Sequence, residues 1–410
     1  MRIGSCSSAE KGGCGEQKGF HGYLLIESKG NHASELSANP LTAIAVGVAS
    51  FFLKVGLLRV QASLRTVSGF HINHRHAKLA PMTHTVSFEG ILDAARQIAG
   101  VAVRTPLIES PALNERLGGR VLMKAETLQR AGAFKFRGAY NRISRLTDAE
   151  KASGVVAYSS GNHAQAVAAA ARMVGTTAII VMPADSPKVK VEGVIGFGGE
   201  VRLYDRYTES REAISDEIVA STGAVLVRPF DDAFIIEGQG TTGLEIMEQA
   251  AELGAGPLDQ LLCGTSGGGL MAGINLTMAA LSPATTVYGV EPADYNDTQL
   301  SLAAGARQTH APATGTICDS LMTGRPGELT FPINRRLAGV LTVTDAEVAE
   351  AVRYAFHTLK LVVEPGGAVS LAALLTGKIS TQGKTTAIVL SGGNVDPALF
   401  SSIIEDRFAG

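Results

Sequence analysis

Gly132-Ala133-Phe134-Lys135-Phe136-Arg137-Gly138 sets one lysine between two phenylalanines, in a segment bounded by glycines and followed by a helical stretch over 139–145. Apolar company penalises the ammonium form. A partly buried lysine therefore sheds its proton more readily and becomes an amine able to attack a carbonyl and form a Schiff base. An aldehyde cofactor is the natural partner. The heptad alone also admits a plainer reading, in which the lysine stem packs on the rings while its head reaches water.

Two turns bear on that choice. Ser159-Ser160-Gly161-Asn162-His163 follows the apolar stretch 155–158 and precedes the alanine-rich stretch 164–172, a strand, polar turn and helix in succession. Hydroxyls, an amide and free backbone N–H groups at a helix N-terminus suit a carboxylate or other anion. The alternative is an ordinary N-cap by Ser160 or Asn162. The second turn, Gly264-Thr265-Ser266-Gly267-Gly268-Gly269-Leu270, lies between the apolar stretch 261–263 and the helical stretch 271–280. Three successive glycines let the backbone approach a phosphate closely, with N–H groups and the helix dipole directed at it. The same turn matches a dinucleotide fingerprint through Gly267, Gly269 and Ala272, with Glu291 where a ribose-binding acid would sit. A dehydrogenase would leave the lysine heptad and the Ser-Ser-Gly-Asn-His turn without a role.

Taken in order, these segments and four more resemble the fold-type II pyridoxal-phosphate enzymes: Arg104-Thr105-Pro106-Leu107, Gly238-Gln239-Gly240-Thr241, Val363-Glu364-Pro365 and Leu390-Ser391-Gly392-Gly393-Asn394. The group resembled comprises threonine and serine ammonia-lyases, threo-3-hydroxyaspartate ammonia-lyases and serine racemases, and the match runs from about Phe88 to the C-terminus. The resemblance implies a two-lobed α/β fold like that of the tryptophan synthase β chain, with parallel sheets and helices on both faces. It implies pyridoxal 5'-phosphate held through Lys135, Phe134 against the ring, Asn162 on the ring's phenolic oxygen and Ser391 facing the pyridine nitrogen. Backbone N–H groups of Ser266, Gly267, Gly268, Gly269 and Leu270 would hold the phosphate. Ser159, Ser160, Gly161, Asn162 and His163 would hold the substrate, and Lys135 would serve as base. The family pattern places Ser160 on the opposite ring face, as a second base, a proton donor or a carboxylate ligand. Ser266 replaces the first of the family's usual four glycines, and Gly366 replaces the serine usual after Glu-Pro.

The implied activity is loss of water and ammonia from a β-hydroxy amino acid, giving 2-oxobutanoate from L-threonine and pyruvate from L-serine. Hydroxyaspartate deamination or serine racemisation is the alternative. Arg211, in Glu209-Ser210-Arg211-Glu212, matches an arginine that meets a substrate's second carboxylate in the racemase and hydroxyaspartate branch. As a surface residue it would instead pair with Glu209 or Glu212. The stretch 291–297 is similar to the divalent-cation site of that branch: Glu291, the Tyr295 carbonyl and Asp297 offer hard oxygen ligands suited to Mg²⁺ or Ca²⁺. Without a cation it would be a polar loop capped by acids. The resemblance also implies a homo-oligomer.

Composition is consistent with a soluble cytosolic enzyme. The chain has 410 residues, 45% of them hydrophobic and 18% charged, which suffices for a two-lobed body. A formal net charge of -2 with dispersed Lys and Arg gives no basic stripe for nucleic acid. Cys6, Cys14, Cys263 and Cys318 are too scattered for a disulfide framework, and Cys263 reads as core.

Residues 1–81 carry none of the motifs and show no packing period, so they are expected to form a disordered extension or a non-native start. Their apolar run, 41–53, is shorter than the roughly 20 residues of a membrane span. Beyond them, strand candidates at 154–158, 178–182, 200–204, 261–263, 287–290 and 386–390 alternate with helical runs, the pattern of a parallel α/β fold. The small lobe is expected at 153–222 and the large lobe at 82–152 with 223–410, with the cofactor between them. The chain ends soon after Asn394, which leaves no room for a regulatory effector domain.

Overall fold

The computed structural model describes residues 84–310 and 315–408, all within the compact unit Ala80–Gly410. The expectations for residues 1–81 lie outside the described residues. Ten strands form among those described: β1 Leu107–Glu109, β2 Arg120–Ala125, β3 Val155–Tyr158, β4 Ala178–Pro183, β5 Glu200–Tyr204, β6 Val225–Leu226, β7 Gln260–Gly264, β8 Thr286–Pro292, β9 Gly339–Val343 and β10 Thr385–Leu390. They make a six-stranded sheet in the order β1-β2-β10-β7-β8-β9 and a four-stranded sheet in the order β5-β4-β3-β6. Every pairing is parallel except β1 with β2, which are antiparallel.

The central strands of the larger sheet read as unbroken apolar runs because both of their faces are covered. Successive side chains alternate between two cores, as the pleat requires. Val121, Met123, Leu262, Ile388 and Leu390 enter one with Leu371 and Ala372 of the helix Pro365–Leu375. Leu122, Leu261, Cys263, Ala387 and Val389 enter the other, with Ile246 of the helix Ala233–Glu252 and Ile274 of the helix Gly269–Leu281. Burial pushes the Cys263 thiol well up, in keeping with a core role. The helix Asn162–Val174, with a nearly unbroken alanine face, packs on the four-stranded sheet through Ala164, Val167, Ala168 and Ala171.

Four strands escape the sequence pattern. β2 carries a buried lysine, Lys124, whose ammonium is held by Glu245, Gln249 and the Thr105 carbonyl. β1 and β6 are three and two residues long, and β9 is an edge strand. The lysine segment also differs from expectation, because its helix is Lys135–Ile143 and so begins at the lysine itself.

Glycines let three helices cross at close range. A Cβ on Gly238 would lie 2.6 Å from the Gly138 Cα and 2.8 Å from the Arg137 carbonyl, and one on Gly273 would lie 2.5 Å from the Gly240 nitrogen. These neighbours are backbone and cannot swing aside. Gly238→Ala is therefore expected to lower stability by about 1–3 kcal/mol, the usual cost of overpacking, and to loosen the lysine helix. Gly196→Ala, where a Cβ would meet nothing within 4 Å, is the control and should leave the melting temperature in place. Equal melting temperatures for the two variants would contradict this packing.

Candidate active site

Lys135 opens its helix at the junction of two cores. Phe134 packs against the cluster that fills the large sheet's second face, while Phe136, fully buried, belongs to the cluster under the four-stranded sheet. Between them the Lys135 Nζ donates to the Pro229 carbonyl at 2.8 Å and lies 5.1 Å from the centre of the Phe134 ring. Desolvation pulls its pKa down to about 8 against the opposing charge of Glu364. The first turn of the helix is fixed by Arg137, fully buried and bonded to Glu126 and Glu245 at 2.7–2.8 Å. Breaking such a buried pair from one side typically costs about 3–5 kcal/mol.

Three other segments converge on the lysine. The Phe134 N–H donates to the Ser391 carbonyl at 3.1 Å and the Gly393 N–H to the Gly132 carbonyl at 2.9 Å, which stitches the Ser-Gly-Gly-Asn turn to the heptad. Ser391 itself is 7% exposed. Asn162, the first residue of its helix, donates from Nδ2 to Glu364 Oε1 at 2.5 Å and accepts from Asn394 Nδ2 at 2.8 Å. One amide hydrogen of Asn162 remains for a ligand. Burial, with the charge of Asp319, pushes Glu364 up to about 8. His163 is buried, and its Nε2–H donates to the Val227 carbonyl at 2.9 Å, which leaves Nδ1 as a bare acceptor without a partner. Burial and the neighbouring Lys135 charge drive the imidazole down to about 3, so it is neutral at any physiological pH. Ser159 Oγ accepts from the Gly161 N–H at 3.2 Å, and Ser160 lies partly buried in the same turn.

The glycine loop ends β7 and caps the helix Gly269–Leu281. Gly268 has φ 89°, a left-handed conformation that disfavours a side chain, and a Cβ there would also strike Asn334 Nδ2 at 2.5 Å. Thr330 Oγ1 donates to the Gly267 carbonyl at 2.6 Å and Asn334 Nδ2 to the Gly268 carbonyl at 3.1 Å, so the carbonyls are tied back on one side. The Phe230 ring lies against Gly267, directly after the Pro229 carbonyl that holds Lys135. Ser266 Oγ donates to Thr323 Oγ1 at 2.7 Å. Gly366 also gains an explanation here. A Cβ at that position would overlap Ser320 Oγ, so Ser320 fills the space that a serine would need.

These groups fit pyridoxal phosphate: a desolvated amine, a helix N-terminus made of glycines, a buried amide with a spare hydrogen and a buried serine. Glu364, Asn394, Thr323 and Arg137 also belong to the site, though sequence reasoning assigned them no role. The quoted motifs contained all of these but Thr323, with Arg137 two residues from the lysine.

The remaining residues lie elsewhere. Arg211 starts the helix Arg211–Thr222 about half exposed, bonds Glu212 at 2.8 Å and sits 5.0 Å over the Tyr158 ring. Glu291 is fully buried and accepts from the backbone N–H groups of Thr298 and Gln299 at 3.2 and 3.1 Å. Asp297, 1% exposed, takes no hydrogen bond from another residue on either carboxylate oxygen. Burial pushes Glu291 up to about 7; burial and the Glu291 charge push Asp297 up to about 8. Tyr295 lies between them in sequence, its N–H bonded to the Pro292 carbonyl. Among the described residues no three His, Cys, Asp or Glu side chains cluster as a metal site, and no helix is long and apolar enough to cross a membrane.

The chain is similar to known proteins in sequence and fold. An L-threo-3-hydroxyaspartate ammonia-lyase of Pseudomonas sp is 42% identical over 320 residues, which are 78% of this chain and 98% of that one. The structure of maize serine racemase superposes with a TM-score of 0.73 at 37% identity, covering 79% of this chain and 98% of its own. A threonine deaminase from T.th. superposes with a TM-score of 0.71 at 43% identity, covering 76% and 99%. The family described as "Pyridoxal-phosphate dependent enzyme" matches residues 98–392, and with the lysine, the glycine loop and the two buried turns in place the chain belongs to that family.

Proposed function

We propose that the chain releases ammonia from β-hydroxy-L-amino acids by β-elimination of water, taking L-threonine to 2-oxobutanoate and L-serine to pyruvate. The observation that carries this reading is Lys135, a desolvated amine with a pKa of about 8 held by the Pro229 carbonyl, next in sequence to the Phe230 that packs on the glycine loop. When bound, pyridoxal phosphate supplies an aldehyde that captures an amine and a ring that accepts electrons from Cα. Lys135 then acts twice, as the amine that holds the cofactor and, once displaced by the substrate amine, as the base that takes the Cα proton. At its depressed pKa an appreciable fraction is unprotonated near neutral pH. The Ser159–His163 turn offers backbone N–H groups and hydroxyls to the substrate's α-carboxylate, with Ser160 on the opposite face from Lys135. Asn162 would hold the phenolic oxygen through its spare amide hydrogen, and N–H groups of residues 266–270 would hold the phosphate. Ser391 would face the ring nitrogen with a hydroxyl, which does not sustain a proton there and would favour β-elimination over transamination. One water leaves and one is taken up on hydrolysis, so threonine gives 2-oxobutanoate and ammonia in balance.

The four-stranded sheet and its helices serve in this reading as the small lobe, closing over the cofactor and excluding water. A second reading, deamination of threo-3-hydroxyaspartate, is supported by the 42% identity to the Pseudomonas enzyme. Steady-state comparison of L-threonine, L-serine and L-threo-3-hydroxyaspartate, with the parent and Lys135→Ala side by side, tests both. The parent should release ammonia from at least one of the three, and the variant should lose at least about 100-fold of that rate while keeping its fold. Undiminished release by the variant would remove Lys135 from the chemistry.

We also propose a structural Mg²⁺ or Ca²⁺ ligated by Glu291, the Tyr295 carbonyl and Asp297, supported by two fully desolvated carboxylates of which Asp297 has no donor from another residue. Chelation with EDTA should lower the parent's melting temperature, and Mg²⁺ at about 100 times its Kd should return about 2.7 kcal/mol. Asp297→Asn should ignore EDTA and, in its presence, outlast the parent, because one of two repelling charges is gone. A parent indifferent to EDTA and to added cation would exclude the site.

A further inference from the structure

Lys190 is not part of any motif, yet it reaches the Ser159–His163 turn. It lies on the helix Lys188–Gly196 of the four-stranded sheet, with its side chain 8% exposed. Its ammonium is paired with the carboxylate of Asp319, which is 43% exposed and comes from the segment packed on the larger sheet's helix at Gly366. The pair thus spans from one sheet's helices to the other's. On the turn side, Nζ lies 3.8 Å from where a Cβ would stand on Gly161, in the middle of Ser159–His163. Lys190 and Asp319 also both act on the buried Glu364 carboxyl, which holds Asn162. A buried cation therefore overhangs the turn that would hold the substrate's α-carboxylate, and the acid it pairs with is partly open to solvent.

We propose that Lys190 is the specificity-determining cation of this site, binding a second carboxylate on the substrate, and that Asp319 occupies that carboxylate's place until the substrate arrives. The inference rests on the second reading above, deamination of threo-3-hydroxyaspartate, and assigns the side chain that recognises the extra carboxylate. Binding here is an exchange of anions. A desolvated ammonium needs an anionic partner, and an intramolecular carboxylate at the cleft edge can yield to a ligand's carboxylate without leaving the charge bare. The methyl group of threonine offers no such exchange. Arg211, the candidate that the family resemblance points to, is satisfied by Glu212 and Tyr158 at the surface.

The test is the ratio of kcat/KM for L-threo-3-hydroxyaspartate to that for L-threonine in the holoenzyme and three variants. Lys190→Gln should lower the ratio about 10- to 100-fold, the range for a hydrogen bond to a charged group. Asp319→Asn should raise it several-fold, because the competing carboxylate is gone; a merely structural ion pair would give no such gain. Arg211→Ala should leave the ratio within about threefold, as expected of an exposed ion pair. A binding readout independent of turnover accompanies this: succinate should raise the parent's melting temperature more than propionate does, and Lys190→Gln should erase the difference. The proposal is overturned if Lys190→Gln moves both substrates alike, if Asp319→Asn lowers the ratio, or if selectivity follows Arg211→Ala instead. A parent that deaminates neither substrate would sink the lyase reading and this inference with it, whereas an active parent with an unmoved ratio overturns the inference alone.

Discussion

The site depends on where the two phenylalanines around Lys135 are buried. Phe134 and Phe136 are two residues apart at a helix start and enter different cores, one against the six-stranded sheet and one beneath the four-stranded sheet. Truncating a fully buried phenylalanine such as Phe136 to alanine costs about 3–5 kcal/mol, and Phe134, partly buried, anchors the opposite side. The lysine between them is left at the seam, out of bulk water but not inside either core. Its depressed pKa follows from that position, since no nearby cation drives the shift and the one charge acting on it, Glu364, opposes it.

Other features maintain the seam. Gly138 and Gly238 let the lysine helix lie against the helix Ala233–Glu252 with backbone touching backbone, and Arg137 ties the same helix to Glu126 and Glu245 below it. Such buried ion pairs add little net stability over apolar packing but strongly penalise loss of one partner, which suits a role in holding geometry. The glycine loop is held in the same manner from its carbonyl side by Thr330 and Asn334, so its N–H groups need no reorganisation to meet an anion.

Much of this was legible in the sequence, for identifiable reasons. Strands β3, β4, β7, β8 and β10 announce themselves because residues buried on both faces give continuous apolar runs, whereas β5 is an exposed edge strand with alternating polarity. The glycine loop and the Ser-Ser-Gly-Asn-His turn are short, local and chemically conspicuous. β2 was hidden because Lys124 breaks its apolar run, and only the distant Glu245 and Gln249 make that lysine tolerable in a core. Glu364, Asp319 and Lys190 were hidden for the same reason. Their meaning lies in partners far away along the chain, and a buried charge looks like a surface charge until its partner is known. Gly366 is the same case in reverse, a missing side chain explained by Ser320.

Lys135 and Lys190 both act on the buried Glu364 carboxyl, and only one of them sits at the seam of the two cores. That one, Lys135, is the amine assigned to the cofactor. Borohydride reduction of the holoenzyme fixes pyridoxal phosphate to whichever amine holds it, and peptide mass spectrometry then reads the position. The added mass is predicted on the peptide carrying Lys135 and on no other. Label on Lys190, or a holoenzyme that gives no labelled peptide at all, would contradict the assignment.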